Sequence, residues 1–74
     1  MVYKAQLIVD DGDGERLADF RFDTDHIAGF WTPQRDQVFG DIVSIMISGN
    51  FYCIQQDPFI RKHLRERFGK CVNG

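Results

Sequence analysis

The sequence predicts a small α+β domain, an antiparallel sheet or open barrel of 4–5 strands with one C-terminal helix, in the order β-β-(β)-β-β-α. Three observations point there. Apolar and polar residues alternate over Val2–Val9 and again over Arg16–Asp23, which is the period of a strand with one buried face. Ile42–Ile47 is apolar on both alternating faces, as in a strand covered on both sides. After Asp57-Pro58, Ile60, Leu64 and Phe68 recur every four residues, the spacing of one helix stripe.

Taken in order, Tyr3, Ala5, Leu7 and Val9 share one face of the first strand, while Lys4 and Gln6 share the other. Asp10-Asp11-Gly12-Asp13-Gly14 is a turn, because Asp bonds to its own backbone and Gly takes left-handed conformations. Ala18, Phe20 and Phe22 then give the second strand one apolar face, closing a hairpin. Asp23–His26 reads as a polar turn. Ile27–Thr32 reads as a short third strand that Gly29 weakens, and Thr32–Gln37 as a loop around Pro33. The strand within Val38–Ser48 is the strongest of the chain, Gly49-Asn50 is a tight turn, and Phe51–Gln55 returns beside Ile47. Asp57 is the helix N-cap, Pro58 its first residue, and Gly69 its stop. A single helix covers only one face of such a sheet. The second face of the Ile42–Ile47 strand therefore needs either curling of the sheet or a second copy of the chain.

Length and composition limit the functions on offer. The 74 residues make one domain, residues 1–74. A chain this short buries roughly 60% of the surface it exposes when unfolded, so oligomerisation is a natural source of further stability. The ten aromatic residues (seven Phe, two Tyr, one Trp) are many for this size, and they serve either as core or as a contact patch. A formal charge of −2 gives no overall field that favours nucleic acid. The charges are nonetheless uneven: acidic residues crowd the first third, and Arg61, Lys62, Arg65, Arg67 and Lys70 crowd the end. The opening residues lack the pattern of an export signal, and no apolar run is long enough to cross a bilayer. The chain is expected to be a complete short gene product that works in the cytoplasm, away from membranes. Cys53 and Cys71 are expected to stay reduced, Cys53 as a core residue and Cys71 in a tail.

No motif assigns a chemistry. A calcium loop counted from Asp11 would need glycine sixth and glutamate twelfth, but Arg16 and Phe22 stand there. Asp23, Asp25 and His26 have no metal-ligand spacing, and a solvated turn accounts for them. Ser44 and Ser48 have no neighbouring base, the glycines are scattered singly, and His63 reads as a surface residue of the helix. No catalytic residue, metal or cofactor is assigned, and the chain is expected not to be an enzyme.

Two features invite partners. Arg61, Lys62, Arg65 and Arg67 make a basic helix able to meet phosphates or an acidic protein, although side chains for base readout are lacking. Phe30, Trp31 and Phe39 flank a loop near the sheet edge and suit a self-association or partner surface, tryptophan being enriched at interface hot spots. In layout, the hairpin Ile42–Tyr52 with its closing helix resembles many short bacterial and phage accessory proteins, and the likeness is structural rather than chemical. The expectation is a non-enzymatic binding or regulatory protein that contacts a protein partner or its own twin. Its size suits phage or mobile-element accessory proteins, including inhibitors of host systems. The alternative is a nucleic-acid-binding domain that uses the basic helix.

Overall fold

The structure, a computed structural model, describes residues 1–69. Lys70 and Cys71 lie outside the described residues. The expected α+β architecture is present, as an open antiparallel sheet with one C-terminal helix. β1 (Val2–Asp10) and β2 (Glu15–Asp23) form a hairpin whose register runs unbroken from Val2↔Asp23 to Asp10↔Glu15. The acidic turn between them spends its carboxylates locally. Asp10 accepts from the Gly12 amide (3.0 Å), Asp11 accepts from the Asp13 amide (3.3 Å), and Asp11 also pairs with Arg16 (2.7 Å). That pairing holds the Asp11 carboxyl below its usual range.

Thr24–His26 is a single 3-10 turn capped by Asp23, whose side chain accepts from the Asp25 amide (2.9 Å). β3 (Ile27–Phe30) follows, with a register irregularity between Ile27 and Gly29 where the expected weak point lies. β4 (Gln34–Asp36) is a correction, since Thr32–Gln37 was expected to be loop throughout. Its three residues pair with β5 (Gly40–Ile47) at the sheet edge, where one side of the strand stays solvated. Polar residues are tolerated there, and Pro33 sits in the break between the two short strands. The described residues therefore hold six strands rather than 4–5.

β5 turns back into β6 (Asn50–Gln55) through Ser48-Gly49, one residue earlier than expected, so that Asn50 already pairs with Ile47. Both turn residues have positive φ, 53° at Ser48 and 81° at Gly49, the conformation that matches the twist of a two-residue hairpin. α1 (Pro58–Phe68) begins where predicted. The Asp57 side chain accepts from the Ile60 amide (2.8 Å) and also from the Tyr3 hydroxyl, tying the cap to the first strand.

The strand order is β2-β1-β6-β5-β3, with β4 also on β5. β2 forms one edge and β3 with β4 the other, so the sheet is open and not a closed barrel. The two halves meet between β1 and β6, at Leu7↔Ile54. The core lies between the sheet and α1. Val43, Ile45 and Ile54 from the centre pack with Ile27, Phe30, Ala5 and Phe22, and Ile60 and Leu64 close over them. At about 2 kcal/mol per fully buried large aliphatic side chain, these residues dominate the drive to fold.

Candidate functional site

Two surfaces stand out, on opposite faces of the sheet. The first is the face that α1 does not cover. Alternation along β5 sends Val43 and Ile45 toward the helix and leaves Ile42, Ser44 and Met46 on the other side. Ile42 and Met46 are only half-buried, and among the described residues no second layer lies over them. Met46 pairs with Phe51, Ser44 with Cys53, and on the far hairpin Ile8 pairs with Leu17. Phe51 is 58% exposed and Trp31 is 60% exposed. A shallow depression on this face is lined by Trp31, Ile42, Ser44 and Cys53.

The three aromatics expected to form one surface are not brought together. Phe30 is buried and packs on Phe68, with ring centres 5.6 Å apart. Trp31, the next residue, turns to the opposite face while its amide donates to the Ser44 carbonyl (2.8 Å). Adjacent residues of an extended chain point to opposite faces, and this is why the pair divides. Phe39 is half-buried in the turn before β5, where its carbonyl accepts from Gln55 Nε2 (3.0 Å). Trp31 instead shares its face with Met46, Phe51 and Ile42. The signal for those residues was the two-residue alternation of β5 continued through the hairpin turn. Cys53 is half-buried on the same face. Burial pushes its thiol up, an effect that a hydrogen bond with Ser44 partly offsets.

The second surface is a cleft of about 460 Å³ between α1 and the β3–β4 junction. Phe30, Pro33 and Leu64 give it apolar walls, and Gln56, Arg61 and Arg65 give it polar ones. The four basic residues singled out on the helix therefore divide in role. Arg67 is occupied, because its guanidinium donates to the carbonyls of Thr24 (2.7 Å) and Asp25 (3.0 Å) and lies over the Phe68 ring. Arg61 pairs with Asp41 (3.1 Å). Arg65 lines the cleft with no ion-pair partner among the described residues, and Lys62 is exposed beside it. No continuous basic face results.

Other candidates resolve into structure. Asp23 pairs with the Met1 amino group (2.9 Å), and Asp25 lies 3.7 Å from the same group. These contacts raise the amine above its ordinary value, and chiefly the bond from Met1 holds the Asp23 carboxyl low. No cluster of three metal-ligating side chains occurs among the described residues. His63, expected at the surface, is half-buried and stacks near Phe59, and its Nε2 is buried with no hydrogen-bond partner among the described residues. Among the described residues no helix is long and apolar enough to cross a membrane. No family model matches the sequence, and comparisons with curated proteins and with solved structures give no match either.

Proposed function

We propose that this chain is a non-enzymatic binding protein of the cytoplasm that meets a protein partner, or a second copy of itself, through the uncovered face of its sheet. One observation carries the reading. β5 presents Ile42 and Met46, with Ser44 between them, on the side that its own helix leaves open, and Trp31 and Phe51 stand more than half exposed beside it. Contiguous apolar surface rimmed by charge, here Lys4, Asp19 and Arg21 of the first hairpin, is what protein interfaces present. Tryptophan and phenylalanine anchors on a rigid sheet lose little entropy on docking. A role as an inhibitor or accessory factor of a phage or mobile element fits a small binding protein of this kind.

Light scattering over a range of concentrations tests it, alongside capture from the natural host with the intact chain as bait. Trp31→Ala should keep the circular dichroism and melting of the parent and weaken association by at least about tenfold, as hot-spot truncations do. A chain that stays monomeric and captures no defined partner would sink the reading, and so would unfolding of the Trp31→Ala variant.

A further inference from the structure

We propose that the cleft beneath α1 is a second recognition site, one that takes a protein segment presenting a bulky apolar side chain next to a carboxylate. Its volume, about 460 Å³, lies within the range of ligand sites. Its walls combine the two chemistries such a segment needs. Phe30, Pro33 and Leu64 offer an apolar surface, and the guanidiniums of Arg61 and Arg65 border it.

Arg61 is held ready from behind. It donates to Asp41 (3.1 Å), and with the amide oxygen of Gln56 facing it, Gln56 accepts from its Nε (2.9 Å). Arg35 also approaches Asp41 (3.6 Å), so two guanidiniums share that carboxylate, while Arg65 on the cleft wall pairs with none among the described residues. The surplus is positive, and it complements an anion. Arg65, unpaired among the described residues, is the natural first contact, and Arg supports bidentate capture of a carboxylate.

The shape selects a tethered occupant over a free small acid. A free ligand binds well when most of its surface is enclosed, whereas the described residues leave this cleft partly open. A side chain anchored on a partner needs only one side covered, because the rest of the partner excludes water. The site is independent of the uncovered sheet face: Phe30 and Pro33 line the cleft, whereas Trp31 between them lies on the opposite face.

The experiment is amide chemical-shift mapping on the intact chain with two blocked peptides, Gly-Glu-Phe-Glu-Gly and its neutral counterpart Gly-Gln-Phe-Gln-Gly. A third arm uses free 3-phenylpropionate. Shifts should centre on Phe30, Gln56, Arg61 and Arg65, and the acidic peptide should bind about threefold to tenfold more tightly than the neutral one, the range of a partly exposed charged contact. Arg65→Glu should abolish that preference and Arg65→Gln should reduce it, with both variants folded by circular dichroism, while Trp31→Ala leaves it intact. Equal binding of the two peptides, shifts centred elsewhere, or no shifts at millimolar peptide would overturn the proposal. So would 3-phenylpropionate binding as tightly as the peptide, which would make the ligand a free acid.

Discussion

Tyr3 does more than fill space. Its ring stacks on Phe59 at 4.4 Å and meets Phe22 edge-on, and its hydroxyl donates to the Asp57 carboxylate that caps α1. Burial first, and then that carboxylate, push the phenol from its ordinary 10.0 up to about 12. Between those values the unfolded chain gives up the proton while the folded chain keeps it, so stability falls as pH rises. The contribution is whole below pH 10 and is lost by about pH 12. Urea melts of Tyr3→Phe should show a loss of about 1 kcal/mol at neutral pH and a flatter decline across that alkaline window. An unchanged alkaline slope would remove Tyr3 as its source. His63 carries the opposite lesson. Its buried Nε2 has no partner among the described residues, so His63→Leu should stabilise by about 1 kcal/mol, or roughly 4–8 °C in Tm, read by calorimetry. Neither contact was legible in the sequence. Tyr3 and Asp57 are 54 positions apart, and whether the side of α1 that carries Phe59 and His63 is buried depends on how the helix seats on the sheet.

Local chemistry made most of the secondary structure readable. Asp57, Pro58 and Gly69 bound α1 because free amides, a fixed φ and a positive φ are demands met within a few residues. The first hairpin was equally plain from alternation and an Asp/Gly turn. The second hairpin slipped by one residue because Gly-Asn resembles a tight turn as much as Ser-Gly does. The structure puts Ser48 at positive φ, an uncommon choice for serine, with Gly49 second. Nothing lies within 4 Å of a Cβ added at Gly49, so Gly49→Ala meets only backbone strain there. The cost should be about 1 kcal/mol, whereas Ser48→Asn, which creates the favoured Asn-Gly pair, should stabilise by a few tenths. Thermal melts of the two variants should move in opposite directions. β4 escaped the sequence reading because three polar residues at an edge carry no periodicity, and only the neighbouring β5 makes them a strand.

One layer of helix on one layer of sheet leaves half of the sheet surface unclaimed, and that open half is where the proposed partner or twin docks. The one-sided cover follows from arithmetic that the sequence did show: one helix, one face. Where each aromatic points did not follow, since Phe30 and Trp31 differ by a single step along the strand and end on opposite sides. The connectivity has a further effect, on how quickly the native state is reached. Most strand contacts are between neighbours in the chain: β1 with β2, β5 with β6, and β3 and β4 with β5. Among the described strands only the join of β1 to β6 is remote, bringing Leu7 to Ile54. The two hairpins can therefore form within microseconds of each other and independently. Closing the long loop between them is the slow, entropically opposed step. Until it closes, β6 is itself a bare edge, so the nascent chain offers a strand-shaped vacancy that its own first hairpin must fill before another molecule does.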